Sequence, residues 1–160
     1  MEYIPRELRG ALNEACRNFP ALLITGPRQS GKTTFVRHEL AAVSEYISFD
    51  DSLARQFAQD DPNGFLDQFA DRPVILDEIQ YVPGLMTHIK ICIDRRGRNG
   101  QWVMTGSQQF ELMRNVSESL AGRVAILELL PFAYPEIQQT RRWSIRGLHS
   151  AESVAEVRLL

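Results

Sequence analysis

The stretch LLITGPRQSGKTTFVRHEL, residues 22–40, decides the fold. An apolar run breaks into Gly26-Pro27-Arg28-Gln29-Ser30-Gly31-Lys32-Thr33-Thr34, and a helical pattern follows. Glycines at 26 and 31 let the backbone turn tightly, so that successive N–H groups point at phosphate oxygens. The helix that follows presents its positive N-terminal end to the same anion. Lys32 reaches terminal phosphates, and Thr33 is placed to ligate a magnesium ion. The competing reading is a glycine-rich turn that merely caps a helix. The order strand, loop, helix favours the phosphate cradle, with residues 26–34 as the cofactor-binding set.

Outward from this loop, apolar strands alternate with helical patterns. Residues 21–25, 46–49, 73–78, 101–107 and 124–129 read as strands, the first and third as continuously apolar, buried ones. Helices are expected over 6–17, from Lys32 to about Ala42, over 85–96 and through FELMRNVSESLAG, with two short ones around Asp61-Pro62-Asn63-Gly64. The class is α/β with a largely parallel sheet.

Ile75-Leu76-Asp77-Glu78 ends one buried strand. An acidic side chain there is costly without a partner. Asp77 has one if it faces a magnesium ion beside Thr33. Glu78 is then placed to orient the attacking water or accept its proton, against the plainer reading of a surface turn. Thr105-Gly106-Ser107-Gln108 closes another strand. Ser107 is the candidate to sense a γ-phosphate, with Gln108 and Thr105 behind it; it equally suits an N-cap. Arg123 follows Gly122 and precedes the last strand. It suits an arginine finger reaching a neighbouring subunit's γ-phosphate, or an ion pair with Glu118 or Glu128. Asp50 and Asp51 either cap the next helix or lie near the metal.

The composition excludes several classes. The chain has 160 residues, 44% hydrophobic and 24% charged, with a net charge of −2, which suits one globular domain. That balance gives no global nucleic-acid footprint, and no basic run is long. Cys16 and Cys92 stand far apart outside any CxxC pair, as small core residues. His38, His88 and His149 form no ligand spacing. No apolar run approaches membrane-spanning length and no signal-peptide core opens the chain, so no membrane partner is expected and the cytoplasm is the default location.

Several boxes in order carry a family resemblance: GPRQSGKTT, YISFDD, VILDEIQYVPGL, IKICID, TGSQQFELM, SESLAGRVAILELLPF and the closing PEI. Together they resemble the AAA-type ATPase domain of a prokaryotic ATP-binding protein family, over roughly residues 3–137. In that family a C-terminal domain of unknown function usually follows. The resemblance implies a P-loop NTPase three-layer α/β/α sandwich with a mostly parallel five-stranded sheet. It implies ATP and Mg2+, with Lys32 and Thr33 in the Walker A loop and Asp77 and Glu78 in Walker B. Ser107 falls at the sensor position and Arg123 in the SLAGR box; the sequence leaves oligomeric state open, though an arginine finger at Arg123 would require a homo-oligomer. Residues 1–137 are therefore expected to form the ATP-binding domain. Residues 138–160 do not look like the family's continuation and read as a truncated or frame-shifted tail, with a short helix from Ser153 and Glu156.

The expected function is magnesium-dependent ATP binding and hydrolysis, with Lys32, Glu78, Ser107 and Arg123 as the catalytic set. The alternative is an ATP-binding switch or interaction module with negligible turnover. A protein partner is expected but not named by the residues. A nucleic-acid partner is permitted by the fold class alone.

Overall fold

A computed structural model describes residues 3–107, 110–134, 136 and 157–159. Helix α1 (Arg9–Asn18) leads into β1 (Ala21–Thr25), the phosphate loop and α2 (Lys32–Leu40). Then follow β2 (Glu45–Ser48), α3 (Ser52–Asp60), α4 (Pro62–Asp67), β3 (Val74–Asp77) and a short 3-10 turn at Ile79–Tyr81. The described chain continues with α5 (Leu85–Arg96), β4 (Trp102–Thr105), α6 (Phe110–Leu120), β5 (Val124–Glu128) and β6 (Val157–Leu159).

The sheet order is β2-β3-β4-β1-β5-β6. The first five of these strands pair in parallel, as the alternating pattern predicts. Because β4 lies between β1 and β3, the phosphate loop and the acidic strand end are one strand apart. Parallel pairing places the C-terminal ends of β1, β3 and β4 on one edge, where ligands bind in open α/β sheets.

Residues alternate between the two faces of β1. Leu22 and Ile24 pack with Leu8, Leu12 and Ala15 of the α1 region and with Phe35, Val36 and Leu40 of α2. Ala21 and Leu23 pack on the other face with Phe65, Leu66, Met86, Ile89 and Leu112 from α4, α5 and α6. The result is three layers, helices on both faces of the sheet. Burial of both faces explains why β1, β3 and β4 read as unbroken apolar runs; every residue in them is buried.

Two expectations are corrected. Where the sequence pattern predicts a short helix from Ser153 and Glu156, residues 157–159 form β6, antiparallel to β5 with Val157 opposite Leu127. This adds a sixth strand to the expected five. Apolar residues at 154, 157 and 160 have a helical period, but β5 offers a free edge, and sheet pairing overrides that weak local pattern. The rest of 138–156 lies outside the described residues. Helix α1 starts at Arg9 rather than residue 6. Arg6 instead closes a tight turn, its carbonyl accepting from Arg9 N at 3.1 Å, and its side chain runs away from the helix. Among the described residues no helix is long and apolar enough to cross a membrane.

Candidate nucleotide site

The phosphate loop leaves β1 at Gly26, whose φ is 145°. A Cβ here would lie 2.2 Å from the Leu129 carbonyl oxygen, so only glycine lets the loop pass the chain that leaves β5. Gly31 has φ 88° and turns the loop into α2. Gln29 also has positive φ, 64°, so the loop is a tight concavity of successive backbone N–H groups rather than an extended connection. Gly26 and Ser30 are buried, while Pro27, Arg28 and Gln29 are exposed.

Lys32 is buried although charged. Its Nζ donates to the carbonyls of Gly26 at 3.1 Å and Pro27 at 2.9 Å, so the ammonium lies across the mouth of the loop. Thr33, one residue on, faces β3. Its Oγ1 donates to Asp77 Oδ2 at 2.9 Å, with Oδ1 at 3.2 Å. Thr33 and Asp77, expected to flank one magnesium ion, touch each other directly.

Asp77 is 3% exposed and ends β3. Three hydroxyls meet its carboxylate: Thr33, Tyr46 at 2.7 Å and Thr105. Burying the carboxylate is tolerable because each oxygen accepts hydrogen bonds. Tyr46 lies on β2 and was absent from the candidate residues. Its phenol is pushed up to about 12, first by burial and then by its bond to Asp77. It therefore stays a donor throughout the neutral range. Thr105, held only in reserve for the sensor position, instead ties β4 to Asp77 and also accepts from Glu78 N at 3.3 Å.

Glu78 adopts the left-handed conformation, φ 59°, uncommon for a non-glycine residue and concentrated at functional sites. The kink turns its side chain out of the sheet and into the cleft. There Gln80 Nε2 donates to Glu78 Oε2, a partner the sequence reading passed over. Among the described residues, Ser107 Oγ is buried without a hydrogen-bond partner, as is Gln80 Oε1. Ser107 Oγ thus makes no capping bond among the described residues, and Ser107 does not line the cleft. Gln108 lies outside the described residues.

A cleft of about 510 Å3 is lined by Arg28, Gln29, Gly31, Lys32, Thr33, Thr34, Asp50, Glu78 and Tyr81, with Asp77 and Ser107 not among its lining residues. The two acidic residues after β2 divide as the alternatives allowed. Asp51 caps α3 through Leu53 N at 2.9 Å, and Asp50 lines the cleft. Arg123 is not brought to this cleft. It precedes β5 at the opposite end of the strands, where its backbone carbonyl accepts from Ala21 N. Its guanidinium pairs with Asp94 at 2.7 Å, neither of the predicted ion-pair partners. The distance follows from topology: the loop leaves the C-terminal end of β1, and Arg123 enters beside its N-terminal end.

The donor set fits magnesium. Thr33 and Asp77 supply hard oxygens at the N-terminus of α2, and magnesium sites use one or two such groups plus substrate phosphates and water. No cluster of three or more His, Cys, Asp or Glu side chains able to hold a metal occurs among the described residues.

A phosphate loop and an acidic strand end, separated by an intervening strand in a parallel sheet, define a P-loop NTPase domain of the AAA type. The chain belongs to the AAA domain family, whose profile matches residues 18–138. Two uncharacterized proteins, of Mycobacterium bovis and Mycobacterium tuberculosis, are each 32% identical over 146 residues, 89% of this chain. The chain spans a third, 33%, of the length of those curated relatives. Among solved structures, a Walker-type ATPase of Pyrococcus abyssi has a similar fold, with TM-score 0.61 at 18% identity over 84% of this chain and 55% of that one. AMPPCP-bound DnaA of Aquifex aeolicus is also similar, with TM-score 0.59 at 18% identity over 92% of this chain and 55% of that one. The site is thus of the nucleotide-binding, ATPase type.

Proposed function

We propose that this domain binds ATP with magnesium and hydrolyses it to ADP and phosphate. The observation that carries the reading is the Thr33–Asp77 contact beside Lys32, with Glu78 lining the same cleft. The loop amides and Lys32 hold the β- and γ-phosphates. Thr33 and Asp77 would hold the metal. The metal, when bound, screens the phosphate charge and fixes the phosphate chain. Glu78 orients the attacking water and accepts its proton. Ser107, whose buried hydroxyl has no partner among the described residues, would reach the γ-phosphate by turning toward the cleft. The barrier falls through positioning and electrostatics rather than covalent chemistry. The AMPPCP carried by the Aquifex neighbour is consistent with adenine as the base.

The decisive measurement is phosphate release from Mg-ATP by the wild type and by Glu78→Gln, with ATP affinity measured in parallel. Loss of release at retained affinity supports hydrolysis; equal background rates in both remove it. The second reading, an ATP-binding switch with little turnover, is favoured by one contact: Gln80 already occupies a Glu78 oxygen that would receive the water's proton. Nucleic-acid dependence is tested by adding single- or double-stranded DNA at low salt; unchanged turnover removes it. A role for Arg123 requires a second subunit, because its own cleft lies at the other end of the sheet.

A further inference from the structure

One face of the phosphate loop lines the nucleotide cleft. The other face rests on a buried arginine. Arg6 lies ahead of α1 and is 6% exposed. Its Nη1 donates to the Ser30 carbonyl at 3.0 Å, its Nη2 to the Leu130 carbonyl and its Nε to Glu136 Oε1 at 3.1 Å. The guanidinium carbon sits 4.3 Å from the centre of the Phe132 ring. Glu136 is buried as well, and its carboxylate also accepts from Glu7 N at 3.0 Å and Ala133 N at 2.9 Å. One ion pair therefore joins the N-terminal segment, the loop and the segment after β5.

A buried ion pair is weak evidence of a stability role, since an apolar pair of similar volume often does as well. An apolar side chain cannot hold a backbone carbonyl, however. The Ser30–Gly31 peptide is planar and trans, so its C=O and N–H point in opposite directions. Fixing the Ser30 oxygen on Arg6, behind the loop, turns the Gly31 N–H toward the cleft that Gly31 lines. Gly31 itself gives no such restraint, because glycine rotates freely at φ 88°. The segment after β5 is tied to the same point. Leu130, Phe132 and Tyr134 are exposed; Leu129 N donates to the Thr25 carbonyl at 2.8 Å, and the described polar ties beyond Leu129 run to Arg6 and Glu136.

We propose that Arg6 is a positioning residue that aims the Gly31 amide at bound phosphate, and that Glu136 holds Arg6 in that pose, coupling residues 129–136 to nucleotide occupancy. The proposal rests on the nucleotide-binding reading of the same cleft. Arg6→Lys keeps the charge and loses the planar fork that makes three contacts at once. Glu136→Gln is milder, keeping shape and an acceptor oxygen.

The test is Mg-ATP affinity of the wild type, Lys32→Ala, Arg6→Lys, Glu136→Gln and the Arg6→Lys/Glu136→Gln pair, each held well below its own unfolding temperature. Hydrogen exchange across residues 129–136 is followed with and without Mg-ATP. Arg6→Lys should weaken binding about tenfold, inside the 5–150-fold span of coupled sites, and Glu136→Gln by a smaller factor. The double variant should be no weaker than Arg6→Lys alone, because Glu136 acts through Arg6. Mg-ATP should slow exchange over 129–136 in the wild type and not in Arg6→Lys.

Lower unfolding temperatures with unchanged ATP affinity would reduce Arg6 to a structural residue and overturn the proposal. Additive losses in the double variant would overturn the route through Glu136. If the wild type binds ATP through Lys32 and Arg6→Lys and Glu136→Gln bind as tightly, the proposal alone fails. If the wild type shows no Lys32-dependent ATP binding, the nucleotide reading fails and takes the proposal with it.

Discussion

Thr33 and Asp77 touch across 44 residues of sequence, the threonine hydroxyl donating to the carboxylate at 2.9 Å. The contact joins the first turn of α2 to the end of β3, and it sets where a metal would lie. Asp77→Asn keeps the volume and removes the charge. ATP affinity measured in EDTA should stay close to wild type, while the gain on adding magnesium should shrink. A partner acting on a metal through an ordered neighbour is worth about 10–100-fold in metal affinity. Calorimetric titrations with and without magnesium check this; an undiminished magnesium effect in Asp77→Asn would place the metal elsewhere.

The two loop glycines should respond differently to alanine. At Gly26 a Cβ meets the Leu129 carbonyl at 2.2 Å, whereas at Gly31 its nearest neighbour is Arg6 Nη1 at 3.8 Å. Gly26→Ala carries both a backbone clash and an unfavourable φ, and should cost at least about 2–3 kcal/mol. Gly31→Ala carries the left-handed penalty alone, about 1–2 kcal/mol. Urea denaturation of the two variants tests the ranking. Equal losses would mean that the chain after β5 yields to the added methyl.

Much of this site was legible because its signals are local. The loop, the apolar strand ending in Asp77-Glu78, and α5, whose predicted span of 85–96 is the observed one, each announce themselves within a dozen residues. Burial on both faces makes central strands read as apolar runs, and glycine marks the loop. What escaped is held by distant partners. Arg6 looks like one polar residue beside Pro5 until Ser30, Leu130 and Glu136 converge on it. Tyr46 looks like an ordinary strand aromatic until the β2–β3 register, which pairs Ser48 with Asp77, brings its hydroxyl to the carboxylate. Arg123 had two acidic residues nearby in sequence, yet the packing of α5 supplied Asp94. Its position across the sheet from the loop follows from strand direction, which no motif states.

Tyr46 gives a signature at alkaline pH. Its phenol rises from 10.0 to about 12, through burial first and then the Asp77 bond. A group whose pKa is raised on folding stabilises the fold fully below its unfolded value and loses that contribution as pH climbs through the folded one. The wild type should therefore be more stable than Tyr46→Phe up to about pH 10, and the two should converge toward pH 12. Denaturation of both proteins between pH 8 and pH 12 reads this out (about 8 being a neutral-side baseline). A constant difference across the range would show that the phenol does not titrate against Asp77.

Glu136 gives the opposite sign at acid pH. Burial alone would raise its carboxyl, but the N–H groups of Glu7 and Ala133 and the Arg6 guanidinium bring it below 4.5. A pKa lowered on folding stabilises above the unfolded value, and the contribution disappears as pH falls through the folded one. The stability gap between wild type and Glu136→Gln should be level above about pH 5 and close below 4.5. Disrupting a pair this buried costs about 3–5 kcal/mol when one partner is left charged and alone, so Arg6→Ala should be the more damaging change. A gap that widens on acidification would contradict the pairing.

Arg123 separates stability from assembly. Its pair with Asp94 is partly exposed on both sides, and exposed pairs contribute about 0.2–1 kcal/mol. Arg123→Ala should therefore unfold within about 1 kcal/mol of wild type and bind ATP as tightly, because the residue lies at the far end of the strands from the loop. If Arg123 acts across a subunit interface, the loss appears only in turnover, and it grows with protein concentration as subunits assemble. Dilution series of phosphate release for wild type and Arg123→Ala decide between the roles. Parallel rates at every concentration leave Arg123 as the partner of Asp94, steadying the junction of α5 with the start of β5. A gap that opens with concentration makes it the residue one subunit lends to the next.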